Sequence, residues 1–261
     1  AVGRPLQGIP PTVDDTLDAA KAGVVLTLDS EIQKIAENAA KKHMTKGAVV
    51  VMEPDTGRIL AMVSLPDFQP STVAENLDNE DSPLLNRALC NYNCGSVFKI
   101  VTAAAAIEAG IPLDTSYTCY GEVDVGGVAF HCHNRLGHGT LNMTGAFAES
   151  CNPYFIRLAQ KMGGQTLYNM AVALGFDRPI ILAEGWKTAR AVLPSETELL
   201  SPAAVANLAF GQGALMATPV HIAQLVAAVV NDGEIIRPTL LKGTVDAEGN
   251  VTEEEIAPAH T

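Results

Sequence analysis

Ser96 and Lys99 stand three residues apart at the start of the apolar run NCGSVFKIVTAAAAIEAG, residues 93–110. On a helix that spacing puts both side chains on one face. A serine hydroxyl is a weak nucleophile until a base takes its proton. A lysine amine is such a base only when its pKa falls towards neutrality. Burial in an apolar helix and a place at the positive end of the helix dipole both push it that way. A helix start also points backbone N–H groups at any oxyanion that forms there. A plainer reading exists, because Ser-x-x-Lys arises by chance roughly once in a chain of this length. Ser96 would then be a helix cap and Lys99 a surface-reaching side chain.

A second pair, Ser150 and Asn152 in AFAESCNPYFIRLAQKMG, places a hydroxyl and a carboxamide two residues apart before a predicted helix. Both can reach one site from such a loop. Taken alone they read as helix caps.

The elements that must hold these groups can be read from patterning. VVLTLDSEIQKIAENAAKKH gives a strand and then a helix, with Ser30 and Gln33 as a capping box and Ile32, Ile35, Ala36 and Ala39 as its apolar stripe. Residues 48–52 and 58–64 form a hairpin across EPDTG. Residues 93–110 form a buried helix closed by Gly110. Residues 111–140 read as short strands and loops. Later helices open at Asn152-Pro153, Ser201-Pro202 and Thr218-Pro219, and the last is apolar enough to be buried. The fold class is α/β (α+β), with helices packed on an antiparallel sheet that includes the hairpin.

The 261 residues are 48% hydrophobic, enough for a sizeable core. A formal net charge of -12 argues against nucleic acid or anionic membrane surfaces as partners. No segment approaches the roughly 18 consecutive apolar residues of a bilayer span. The Pro/Gly-rich residues 1–23 read as a linker from an upstream region, with the main domain at 24–261.

With those residues in view, RALCNYNCGSVFKIVTAAAAIEAG resembles the acylation motif of the penicillin-binding protein transpeptidases. AFAESCNPYF resembles the family's second motif. LTLDSEIQ, GAVVVMEPDTGRILAMVS, FGQGALMATPVHIAQLVAAVVNDG and RPTLL follow the family's order, from about Val24 to Leu241. The resemblance is greatest to the class B enzymes of elongation, division or sporulation. It implies a penicillin-binding or serine β-lactamase-like fold and a peptidoglycan D,D-transpeptidase. By position, Ser96 resembles the nucleophile, Lys99 its base, Ser150 the proton relay and Asn152 the amide that holds the substrate. Gly95, Ser150 and Asn152 would contact substrate. Cys94 stands where the family commonly has proline. The implied partners are peptidoglycan stem peptides, β-lactams and other cell-wall synthesis proteins. The implied location is the extracytoplasmic face of the membrane, with an anchor upstream.

The family's third motif, Lys-Thr-Gly, is absent. Lys187-Thr188-Ala189 lies upstream of Gly211-Gln212-Gly213, in the wrong order, and reads as a surface coincidence. The resemblance therefore implies that the chain stops before the C-terminal strands, with an incomplete sheet and slow acylation in isolation. A serine β-lactamase and a non-catalytic sensor module are the rival readings.

His131, Cys132, His133 and His138, with Cys119 upstream, can bind metal, but their spacing fits no standard zinc pattern. The segment reads first as a polar loop. A Cys119–Cys132 disulfide follows next, since related transpeptidases often carry a cysteine pair here. No metal and no cofactor are assigned.

Overall fold

The computed structural model describes residues 23–255, and the 1–22 part of the expected linker lies outside them. The chain divides into two compact units. Among the described residues, one holds 23–85, Ile181–Lys187 and 226–255, and the other holds Asn86–Ile180 and Thr188–Leu225.

In the first unit, strand Gly47–Met52 pairs antiparallel with Ile59–Leu65, from Gly47 opposite Leu65 to Met52 opposite Ile59. Ile59, Ala61, Val63 and Leu65 alternate inward, as the period of a strand requires. The helix Ser30–His43 packs on this hairpin through Ala36 and Ala40, with Ile32 partly buried beside them. Its cap differs from the sequence expectation. Asp29 accepts from the N–H groups of Glu31 and Ile32. Gln33 instead donates to Met62 O at 3.1 Å and accepts from Met62 N at 2.8 Å. The tertiary partner outcompetes the local one. Because the helix faces the sheet through Ile32, Ala36 and Ala40, Ile35 is 68% exposed and Ala39 is exposed too.

Leu241–Val245 lies between Gly23–Leu26 and Val251–Glu253 in an antiparallel sheet of three strands, the largest among the described residues. Gly23 already belongs to that sheet, paired with Val245. The Thr27 hydroxyl donates towards Ile59 O at 2.7 Å and Thr239 O at 3.1 Å, joining the segments that bracket the two sheets.

The second unit is mainly helical. Its helices are Lys99–Glu108, Met143–Ala148, Asn152–Met162, Gly164–Ala173 and Pro202–Ala209, and Pro219–Val230 begins in it. Phe98, Val101, Ile156, Leu167, Phe176, Leu208 and Leu215 centre one apolar cluster. Ala106, Cys119, Cys132, Met143, Cys151, Tyr154 and Phe155 centre another. Residues 117–141 form the expected short strands, Tyr117–Cys119 against Gly139–Leu141 and Glu122–Val125 against Val128–His131.

Two elements depart from expectation. Residues 93–110 are not one α-helix: Gly95–Phe98 is a 3-10 turn and the α-helix begins at Lys99. The Pro219–Val230 helix buries Val220, His221, Gln224 and Leu225 but exposes Val226, Val229 and Val230. Apolar composition could not separate these, because much of any protein surface is apolar.

Candidate active site

Ser96 sits in the 3-10 turn, exposed, and Lys99 closes that turn, only 2% exposed. With three residues per turn, side chains at i and i+3 eclipse one another, a closer alignment than an α-helix gives. Lys99 Nζ reaches Ser96 Oγ at 3.0 Å. The turn is pinned from outside. Gly95 donates its N–H to Gly211 O at 2.9 Å, and Tyr92 and Ala217 exchange backbone hydrogen bonds. Gly211 has φ +79°, and a Cβ there would lie 1.9 Å from Gly95 O. Only glycine fits so close a backbone approach. Because Gly95 N–H is committed to Gly211, backbone donors for an oxyanion must come from Ser96 onward.

The second pair converges on the same nitrogen. Lys99 Nζ lies 2.9 Å from Ser150 Oγ, 2.7 Å from Ser150 O and 2.7 Å from Asn152 Oδ1. Ser150 holds φ +48°, a left-handed conformation rare for a residue with a side chain. That turn, fixed by Ser150 N–H to Phe147 O and Cys151 N–H to Ala146 O, directs both Ser150 oxygens at Lys99. Cys151 caps the next helix, so Asn152 is its first residue rather than its cap. Asn152 donates Nδ2 to His131 O at 3.1 Å, which orients the carboxamide with its oxygen towards the lysine.

Burial pulls the Lys99 pKa down from 10.5 to about 8, and the smaller electrostatic influence of the neighbouring Cys132 and Cys151 side chains opposes that shift. At pH 7 about a tenth of the amine is then neutral, against roughly three molecules in ten thousand for an ordinary lysine. The geometry decides what the neutral amine does. Ser150 O and Asn152 Oδ1 can only accept, so they take its two protons. The lone pair is left for a hydroxyl, and Ser96 Oγ–H lies within reach of it.

Ser96, Lys99, Ser150, Asn152 and Gly95 thus come together. Lys187-Thr188 does not join them: Lys187 is exposed, while Thr188 is buried and its hydroxyl accepts from Ile180 N at 2.9 Å. Thr188 is a structural pin rather than a surface residue. The Cys119–Cys132 disulfide is not formed. All five cysteines are free, and Cys119, Cys132 and Cys151 gather with His138. Sequence reading missed Gly211 as the seat of the turn that carries Ser96 and Cys151 as a member of this cluster. The one available signal was the place of Cys151 between Ser150 and Asn152.

A profile of the penicillin binding protein transpeptidase domain matches residues 47–260, and the chain belongs to that family. It is 32% identical over 244 residues to stage V sporulation protein D of Bacillus subtilis, covering 89% of this chain and 36% of that protein. It is 33% identical over 251 residues to peptidoglycan D,D-transpeptidase PbpA of Mycolicibacterium smegmatis, covering 86% of this chain and 49% of that protein. Among solved structures, the penicillin G acyl-enzyme complex of penicillin-binding protein A from M. tuberculosis superposes with a TM-score of 0.85. The identity is 28%, over 91% of this chain and 59% of that one. The chain spans about a third to a half of the length of the curated relatives it matches.

Proposed function

We propose that this chain carries the acyl-transfer site of a peptidoglycan D,D-transpeptidase. The observation that bears most weight is the single buried amine of Lys99 shared by Ser96, Ser150 and Asn152. Neutral Lys99 takes the proton of Ser96 Oγ, which attacks the carbonyl of the penultimate D-Ala of a stem peptide. The bond to the terminal D-Ala breaks, and its amine leaves with a proton relayed through Ser150 and Lys99. Asn152 holds the substrate peptide, and Gly95 shapes the turn that presents Ser96. An amine from a neighbouring stem then attacks the Ser96 ester and restores the hydroxyl. A β-lactam acylates the same oxygen.

Such a substrate lies outside the cytoplasmic membrane, so the site works on the extracytoplasmic face alongside other cell-wall synthesis proteins. No helix among the described residues is long and apolar enough to cross a membrane. Anchoring there falls to another part of the protein.

Labelled penicillin applied to the intact protein tests this reading. Modification of the Ser96 peptide, abolished by Ser96→Ala, is expected. Labelling that persists in Ser96→Ala would overturn the assignment. Rapid hydrolysis of the acyl-enzyme would make the protein a β-lactamase instead.

A further inference from the structure

We propose that Cys119, Cys132, Cys151 and His138 form a tetrahedral zinc site that holds the Ser150–Asn152 turn in place. The inference goes beyond the transpeptidase reading and reverses the sequence assignment of no metal.

The donor atoms of the four residues all lie within 4.8 Å of one another. A tetrahedron with Zn–S bonds of about 2.3 Å has edges of about 3.8 Å, so the cluster needs little contraction around an ion. Cys132 Sγ is 3.6 Å from His138 Nδ1, already such an edge. The three cysteines are buried and the His138 side chain is 6% exposed. Three thiols and an imidazole in one dry pocket match the soft, nitrogen-and-sulfur donor set that zinc takes in closed sites. The other imidazole nitrogen, His138 Nε2, faces Glu149 Oε2 at 3.9 Å. Drawn within hydrogen-bond distance as the cluster contracts around an ion, that carboxylate would fix the tautomer that leaves Nδ1 free to bind metal. His133 Nδ1 stands farther off, 3.9 Å from Cys132 Sγ, and lies outside the set of four.

The backbone is built to bring these segments together. Cys132 N–H donates to Gly121 O at 2.8 Å. A Cβ on Gly121 would lie 2.1 Å from Arg135 O, and one on Gly137 would lie 2.2 Å from Cys119 O. The spacing matches no familiar finger because the ligands come from three places: a strand end, the 132–138 loop and a helix cap. The intervening stretches are 12, 5 and 12 residues. Binding releases one proton per thiol and leaves each sulfur a thiolate.

Cys151 gives the site its role. It lies between Ser150 and Asn152, whose oxygens both contact Lys99. A metal bond at Cys151 Sγ fixes the backbone that carries them, so zinc positions the site without touching substrate.

Metal analysis of the intact protein purified without chelator tests the proposal. One zinc per chain is expected. Its cobalt derivative should show the intense visible bands of tetrahedral coordination and thiolate charge transfer. Cys132→Ser should lose the metal and Cys90→Ser should keep it. Glu149→Gln, an exposed and conservative change, should weaken zinc binding about 10-fold to 100-fold while the protein stays folded. Removing zinc should slow penicillin acylation roughly 100-fold, reversibly, as misplacement of positioning groups does. Absence of zinc after reconstitution, or a disulfide among the three cysteines, would overturn the site. Acylation indifferent to zinc removal would overturn its positioning role. Zinc bound normally in a protein that penicillin never labels would instead count against the transpeptidase reading alone.

Discussion

The proposed chemistry rests on one nitrogen. Lys99 starts an α-helix, where the dipole and burial both penalise a cation, and its pKa falls from 10.5 to about 8. In the proposed mechanism the neutral amine is the base, so penicillin acylation should rise about tenfold per pH unit below 8 and level off above it. Lys99→Met should lower the rate by at least 100-fold and flatten the profile. Stability carries the same signature with a definite sign. Between pH 8 and 10.5 the unfolded chain holds the Lys99 proton and the folded chain does not, so stability rises with pH across that window. Below pH 8 the penalty is fully present. Denaturant unfolding of wild type and Lys99→Met at pH 7 and pH 10.5 should show the gap moving in favour of wild type as pH rises.

At the scale of elements, short backbone contacts decide where side chains point. Ser96 is presented by a 3-10 turn that leans on Gly211. Gly211→Ala should cost about 1–3 kcal/mol in backbone strain and lower acylation roughly 100-fold, because its Cβ would displace Gly95. Gly213→Ala has similar strain at φ +74° but faces Asn207, so it should lose stability with a much smaller loss of rate. Another pin stands at the start of the Pro219–Val230 helix. Thr218 Oγ1 lies 2.7 Å from His221 Nδ1, and His221 Nε2 donates to Arg178 O at 3.0 Å. Burial lowers the His221 pKa below its ordinary 6.5. As pH falls below 6.5 the unfolded chain gains a proton that folded His221 refuses, so stability drops until the folded pKa is reached. Urea unfolding of His221→Gln should show a shallower loss over that acidic range.

Over the whole molecule, an acidic chain with net charge -12 places its proposed acylation site where one cation is withheld from solvent. The surplus negative charge repels other polyanions through its long-range field. In the first unit, Thr27 is the polar residue on which strand segments converge: it is buried, and its hydroxyl serves Ile59 O and Thr239 O. Thr27→Val keeps the shape and removes the donor. Leaving buried carbonyls short of a partner should cost about 1–3 kcal/mol, read as a lower urea midpoint.

The sequence by itself determined the local features. Ser96 and Lys99 at one-turn spacing, the turn chemistry of the hairpin and the prolines that open three helices are set by neighbours within a few residues, and they appear in the structure nearly where patterning puts them. Even at this range the fold overrode two expectations: Gln33 left the helix cap for Met62, and Ser96 took a 3-10 turn. What only the tertiary structure decided is convergence. Ser150 lies 51 residues from Lys99, and Cys119, Cys132, His138 and Cys151 meet from three separate elements. No periodicity encodes such meetings, because they depend on which faces bury against one another. The lowered pKa of Lys99 belongs to the same class. A lysine in a sequence is an ordinary cation, and it becomes a base only where the packed chain has stripped the water from around it.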